Sequence, residues 1–247
     1  MACRLMRVLI TRPEEDAKPL AEMLRQRGYE TIVSPLMRIR LCDGPEIPLN
    51  GIQAIVATSA NAIRALQRRT ARRDVRVFAV GTHTAEVALV AGFADVRQGS
   101  GDSHPLAIFV RKAADPASGP LLWIAGRDRT AAFAGALTAR GFEVQVQVLY
   151  AAEEASALTE EAAAALSTNR IDAVLLFSPR SASVFAKVVQ NQGLLNGCRR
   201  MVALCMSQEV AQKLSTLPFA NILIAQQPNV ASMLDLLERV SVEPPSN

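Results

Sequence analysis

Aromatic side chains are scarce in this chain: one tryptophan, two tyrosines and eight phenylalanines stand among 247 residues. Half of the residues are nonetheless apolar, so alanine and branched aliphatics must supply the core. There is enough of it for one large domain or two small ones. Histidine is limited to His83 and His104, and the four cysteines, Cys3, Cys42, Cys198 and Cys205, show no paired spacing. That pattern argues against a disulfide framework and leaves no metal-ligand set, so no metal is expected. No apolar run approaches the roughly 18 residues that span a bilayer. In residues 1–12, arginines interrupt the apolar positions before a signal-peptide core can form, which predicts the start of a folded cytoplasmic domain.

Nucleotide signatures are also missing. There is no P-loop, and Gly99-Ser100-Gly101-Asp102 lacks the third glycine and the strong preceding strand of a dinucleotide fingerprint. No serine sits in a Gly-x-Ser-x-Gly elbow. No cofactor is expected. The formal charge of +4 is mild. Arg68-Arg69 and Arg72-Arg73 fall near the end of a predicted helix, where cations suit the dipole, so they read as a solvated face and not as a nucleic-acid surface. The balance is compatible with an anionic small substrate.

What the chain does contain is a repeat. Ala54-Ile55-Val56-Ala57-Thr58-Ser59-Ala60-Asn61-Ala62 begins as a short apolar strand and continues at helical spacing, with Ser59 placed to cap the helix and to leave backbone N–H groups facing an anion. Ala173-Val174-Leu175-Leu176-Phe177-Ser178-Pro179-Arg180-Ser181-Ala182 echoes it. A strand-helix-glycine-strand unit also occurs twice, ending in Arg27-Gly28-Tyr29-Glu30 and Arg140-Gly141-Phe142-Glu143. Thr84-Ala85-Glu86-Val87-Ala88 rhymes with Ser207-Gln208-Glu209-Val210-Ala211, making Thr84 and Ser207 counterparts, and a weaker fourth pair starts at Ala94 and Asn221.

The modules thus run A, B, C, D, A, B, C, D. Either two consecutive domains meet near residue 115, or the first A joins the last B, C and D around an inserted domain. Residues 36–41 and 144–150 alternate apolar with polar residues, as half-exposed strands do. They fit a two-stranded connector between domains or ordinary sheet edges equally well. Residues 151–167, rich in Ala and Glu, read as a surface helix.

Doubly wound sheets bind ligands beyond the carboxyl ends of their strands. The turns predicted there carry Thr11-Arg12, Thr58 to Asn61, Gly81 to Thr84, Gly126-Arg127, Ser178 to Ser181 and Met206-Ser207. Hydroxyls, small residues and arginines suit carboxylates. A serine or threonine at such a junction is equally a plain helix cap. Pattern alone therefore reaches a two-lobed α/β protein with an anion-friendly cleft.

Taken together and in order, Val8-Leu9-Ile10-Thr11-Arg12-Pro13, Thr58-Ser59-Ala60-Asn61-Ala62, Val80-Gly81-Thr82-His83-Thr84-Ala85, Tyr150 and Phe177-Ser178-Pro179-Arg180-Ser181-Ala182 resemble the uroporphyrinogen-III synthase family of tetrapyrrole biosynthesis. The resemblance covers nearly the whole chain. It implies two similar doubly wound, flavodoxin-like parallel-sheet domains, residues 1–36 with 153–247 and residues 41–148, joined by a two-stranded β ladder of residues 36–41 and 147–152. It also implies a cofactor-free cyclisation of hydroxymethylbilane, a linear tetrapyrrole polycarboxylate, with inversion of ring D in the cleft between the domains.

Tyr150 takes the family's proton-donor position and Thr84 that of a cleft threonine. Arg12, Thr58, Ser59, Ala60, Asn61, Gly81, His83, Arg127, Ser178, Pro179, Arg180, Ser181 and Ser207 are the expected substrate contacts. The turn Cys205-Met206-Ser207-Gln208 departs from the family's Gly-x-Thr-Thr type. A cytoplasmic monomer is expected, without nucleic acid or membrane as partner, receiving its substrate by transient handover from the bilane-forming enzyme. The competing reading is a cytoplasmic two-lobed protein that binds a small anion without catalysis.

Overall fold

The computed structural model describes residues 5–99, 103–129 and 131–242, without the side chains of 103–105 and 242. Cys3 and Arg4, Ser100, Gly101 and Asp102, and the His104 side chain lie outside that description. In chain order the first elements are β1 (Arg7–Ile10), α1 (Glu14–Gln26), β2 (Glu30–Val33), β3 (Met37–Leu41), β4 (Ala54–Ala57), α2 (Ala60–Leu66), β5 (Arg76–Ala79), α3 (Thr82–Val90), β6 (Val96–Gln98) and α4 (Ser103–Ala113). There follow β7 (Leu121–Gly126), α5 (Ala132–Thr138), β8 (Val144–Glu154), α6 (Glu160–Ser167), β9 (Ala173–Leu176), α7 (Pro179–Asn191), β10 (Val202–Cys205), α8 (Gln208–Gln212), β11 (Asn221–Ile224) and α9 (Val230–Val242).

Local chemistry explains the repeated units. α1 carries Glu14, Glu15 and Asp16 in its first turn and Arg25 in its last, matching the helix dipole, and buries Ala17, Leu20, Ala21 and Leu24 along one stripe. Gly28 then takes φ +84°, a left-handed conformation that lets the chain leave the helix and enter β2. Gly141 does the same at φ +86° before β8. β4, β9 and β10 are buried at every position, as strands covered by helices on both faces must be.

The chain divides into two compact units, Met1–Arg38 with Glu153–Asn247, and Ile39–Ala152. The first holds a five-stranded sheet in the order β11-β10-β9-β1-β2, parallel throughout. Its strands taken in their own sequence give the doubly wound order 2-1-3-4-5. The second holds the sheet β3-β8-β7-β4-β5-β6, in which β8, β7, β4, β5 and β6 are mutually parallel. The same doubly wound order appears there when counting starts at β7, so the second unit is a circular permutation of the first. Both sheets are therefore of the α/β, mostly parallel, flavodoxin-like kind that the family resemblance implies.

β3 and β8 are neighbours, with Cys42 N–H donating to the Leu149 carbonyl at 2.8 Å and Ala155 N–H to the Leu36 carbonyl at 3.0 Å. Partners that advance on one strand as they retreat on the other define an antiparallel pair.

The first unit packs Val8, Ile10, Leu20, Leu24, Leu175, Leu204, Met233 and Leu237 into one cluster. In the second, Ile55, Ile63, Leu66, Val77, Phe93, Leu122, Ile124 and Tyr150 fill one face of the sheet. Val56, Phe78, Leu106, Trp123, Phe133 and Phe142 fill the other.

One expectation is corrected. Residues 151–154 continue strand β8, and the helix occupies only Glu160–Ser167. It is capped by Thr159 and buries Ala162, Ala165 and Leu166. Small alanine side chains let it sit close to its neighbours, so a short stripe of alanines is a packing face and not a solvated one.

Candidate functional site

Four turns share one construction. Ser59, Gly81, Ser178 and Ser207 each lie two residues beyond the end of β4, β5, β9 and β10, in extended backbone, and each is the N-cap of the helix that follows. The hydroxyl of Ser59 accepts the Asn61 N–H at 3.1 Å, that of Ser178 the Ser181 N–H at 3.1 Å, and that of Ser207 the Val210 N–H at 3.4 Å. Gly81 has no side chain to do this, so the first turn of α3 is uncapped. The counterpart of Ser207 in the fold is therefore Gly81, one turn earlier than the sequence rhyme with Thr84 implies. Thr84 sits inside the first turn of α3 and is buried.

In the unit Ile39–Ala152 the turns after β4, β5 and β7 stand side by side, because β7, β4 and β5 are adjacent. Thr58 accepts the Trp123 indole N–H at 3.3 Å. Asn61 accepts from Arg64 at 2.9 Å. Ala60 is buried, His83 is exposed in the first turn of α3, and Arg127 is exposed beyond β7. Arg127 is anchored through its backbone, its N–H donating to the Tyr150 carbonyl at 2.8 Å.

Tyr150 itself is 9% exposed. Burial holds its phenol above the ordinary tyrosine value, and a hydrogen bond from Ser59 partly offsets this. The group is a neutral phenol at neutral pH, with its proton available to give. Ser59, Gly126 and Tyr150 are thus brought together from three elements. Ser59 and Tyr150 are 91 positions apart in the chain, and no local pattern announces their contact.

In the unit Met1–Arg38 with Glu153–Asn247, β1, β9 and β10 are adjacent and present Arg12, Ser178 to Ser181, and Ser207. The Arg12 guanidinium pairs with Asp16 at 2.9 Å and lies over the Phe177 ring at 4.8 Å. Asp16 and Phe177 are partners that sequence reading missed, although the i, i+4 spacing of Arg12 and Asp16 is a usable signal. Thr11 turns inward and donates to the Leu175 carbonyl at 2.8 Å, a purely structural bond. Ser178 donates to the Ser181 hydroxyl at 2.9 Å, Pro179 fills the first helical position, and exposed Arg180 meets Glu154 at 3.3 Å. Cys205, at the end of β10, is fully buried, which pushes its thiol up to about 12 and removes it as a nucleophile.

A cavity of about 470 Å³ lies elsewhere in this unit, lined by Arg7, Arg25, Tyr29, Glu161 and Arg170 among others, and by none of the expected site residues. It opens at the amino ends of β1 and β2, opposite to the end at which such sheets take ligands, and Arg7 is already paired with Glu30. Its size does not make it the functional site.

No group of His, Cys, Asp and Glu suited to a metal occurs among the described residues, and no described helix is long and apolar enough to cross a membrane. The molecule so defined is an α/β protein of two doubly wound units, each with polar turns at the carboxyl ends of its parallel strands.

The family model described as uroporphyrinogen-III synthase HemD matches residues 18–235. The chain belongs to the uroporphyrinogen-III synthase family, and it is an enzyme of that kind. Among solved structures it is similar to the uroporphyrinogen-III synthetase from Helicobacter pylori, at 14% identity over 96% of this chain and 100% of that one, with a TM-score of 0.64. It is also similar to a mutant uroporphyrinogen III synthase from the extremely thermophilic bacterium Thermus thermophilus, at 16% identity over 96% and 99% of the two chains, with a TM-score of 0.54. At these identities the likeness speaks for the fold. No curated protein gives a significant sequence match.

Proposed function

We propose that the chain closes hydroxymethylbilane to uroporphyrinogen III with inversion of ring D, and that the Tyr150 phenol gives the proton that carries off the ring A hydroxyl. The observation that carries this reading is the buried, neutral phenol of Tyr150, held by Ser59 at the carboxyl end of the second unit's sheet. Protonation turns the hydroxyl into water, and the ring A pyrrole becomes an azafulvene. The substituted carbon of ring D then attacks the azafulvene carbon to give a spiro-type intermediate. Cleavage of the old bond to ring D and closure at its free position follow, with loss of one ring proton, which restores the phenol. The net change is loss of one water.

Free hydroxymethylbilane closes without inversion, so holding the substrate folded is the larger task. Orientation of this kind is worth several kcal/mol. The acetate and propionate arms would be gripped by the donors of the turns beyond the strand ends: Thr58 to Asn61, Gly81, His83 and Arg127 in one unit, and Arg12, Ser178 to Ser181 and Ser207 in the other. Thr84 supports the first turn of α3 from beneath. A carboxylate met by backbone N–H and hydroxyl donors needs no cationic clamp. Arg12, already neutralised by Asp16, orients an arm instead of attracting it.

The test is Tyr150→Phe, assayed with freshly generated hydroxymethylbilane and separation of the isomers. Loss of a general acid lowers turnover by about 10²- to 10⁴-fold, and isomer I from spontaneous closure accumulates instead. An undiminished yield of isomer III removes Tyr150 from the chemistry. A parent protein that binds the linear tetrapyrrole and leaves the isomer ratio unchanged refutes the enzymatic reading altogether.

A further inference from the structure

The pairing of β7 with β8 slips by one residue beside Tyr150. Ala125 is matched with Val148 but Gly126 with Tyr150, so Leu149 has no counterpart. Side chains along a strand alternate between faces. Leu121, Trp123 and Ala125 of β7 lie in one core cluster, with Val144 of β8 packed against it. Regular alternation from Val144 would carry Tyr150 onto that same face. It lies instead in the opposite cluster, together with its neighbour Leu149 and with Leu122 and Ile124. The slip has turned Tyr150 over, to the face on which α2 packs.

Its new neighbour there is Gly126. A Cβ on Gly126 would lie 2.9 Å from Tyr150 Cε2, 3.0 Å from Cζ and 3.3 Å from the phenol oxygen. Any side chain at this position would occupy the space of the ring. Across from it, the cap of α2 brings the Ser59 hydroxyl to the phenol. The same oxygen accepts the Asn61 N–H, and the hydroxyl keeps its own hydrogen to give to the phenol oxygen.

We propose that the register slip, Gly126 and Ser59 form one device that positions the Tyr150 phenol: the slip chooses its face, the glycine leaves room for its ring, and the serine fixes its oxygen. This rests on the reading of Tyr150 as proton donor. Gly126 and Ser59 are positioning residues, acting on the reaction through Tyr150.

The chain contains only two tyrosines, Tyr29 and Tyr150, and Tyr29 bonds at the surface to Ser241. A Tyr29→Phe background therefore leaves one phenol, whose ionisation is followed by ultraviolet difference absorbance in the folded protein. In that background Ser59→Ala moves the titration upward, because a donor to the phenolate is lost, and lowers kcat about 3- to 10-fold, as removal of one hydrogen bond does. Ser59→Thr keeps the hydroxyl and the helix cap, and restores both values. Gly126→Ala shifts the titration and lowers kcat without touching the cap. Once it is present, Ser59→Ala has no further effect on the phenol, since the ring has already left the serine.

Additive effects of the two substitutions, or a titration indifferent to both, overturn the device. If Tyr150→Phe is inactive while those variants titrate like the parent, the donor reading stands and the positioning fails. If Tyr150→Phe is fully active while the titrations couple, the positioning of the phenol stands and its catalytic use fails.

Discussion

Gly197 offers the sharpest test of the packing in the first unit. It lies, buried, in the turn that leads into β10. A methyl group placed on it would sit 2.2 Å from the Leu166 carbonyl oxygen and 2.7 Å and 2.8 Å from the Leu166 Cγ and Cδ1. Ordinary contacts between non-bonded carbon atoms lie at about 3.5–4.0 Å, so the two segments must separate by roughly 1 Å. Backbone cannot rotate away as a side chain can. The same Leu166 oxygen accepts the Asn169 N–H at 3.1 Å, at the end of α6, and that bond is strained by the movement.

Overpacking of this kind costs about 1–3 kcal/mol, and the hydrogen bond about 1 kcal/mol more. At about 2–4 °C per kcal/mol for a chain of this size, Gly197→Ala lowers Tm by roughly 4–16 °C. Circular dichroism reads the loss. The fluorescence of Trp123, which lies in the other unit's sheet, shifts less. Gly193→Ala is the control, since nothing lies within 4 Å of its added carbon and only the φ of +68° resists it; it costs about 1 kcal/mol. A Gly197→Ala midpoint within about 1 °C of the parent refutes the close approach of the turn and α6.

Other substitutions probe other forces. Gly135→Ala, on the exposed side of α5 with nothing near the added carbon, stabilises by about 0.5–1 kcal/mol, seen as a higher urea midpoint. Asp95 is held below the ordinary carboxylate range chiefly by the hydrogen bond from Arg76, with Arg97 adding to it. A lowered value stabilises the fold above the carboxyl's unfolded pKa, and the gain disappears as pH falls through the folded one. Asp95→Asn therefore costs a few tenths of a kcal/mol near neutrality, the size of a largely exposed pair, and nothing in acid, measured by urea midpoints across pH. Burial pushes the Cys198 and Cys205 thiols up to about 12; iodoacetamide at mildly alkaline pH leaves both unmodified in the native protein and labels them after unfolding, as peptide masses will show.

Much of the fold is legible locally. Serine at a strand-to-helix junction signals Ser59, Ser178 and Ser207 as caps, and glycine after an apolar stripe signals Gly28 and Gly141, because each depends on a few adjacent residues. The parallel sheets follow from strands alternating with helices. Three features are not local. The alternation of Val144 to Tyr150 reads as one regular strand, whereas the slip at Leu149 exists only relative to β7. The offset between Thr84 and Ser207 arises because α3 begins a turn earlier than its sequence counterpart, at an uncapped glycine. The contact of Gly126 with Tyr150 depends on strand neighbours and not on spacing. For the candidate site, residue types pointed to the turns; of the partners that engage them, Asp16 and Arg64 stand at helical spacing from Arg12 and Asn61, while Phe177 and Trp123 became evident only in three dimensions.

β1 occupies an inner position in the first unit's sheet, between β2 and β9, yet the whole of the second unit separates β1 from β9 in the chain. On the ribosome the strand that needs both flanks covered is made first and receives its second partner late. At roughly 5–20 residues per second, residues 39–152 take on the order of ten seconds to emerge. Throughout that interval Val8, Leu9 and Ile10, all fully buried in the finished protein, have one open edge. The inserted unit is completed meanwhile, all its strands being in hand. Nascent chains arrested before β9 should therefore bind holdase chaperones through β1, and release them once translation has passed β10.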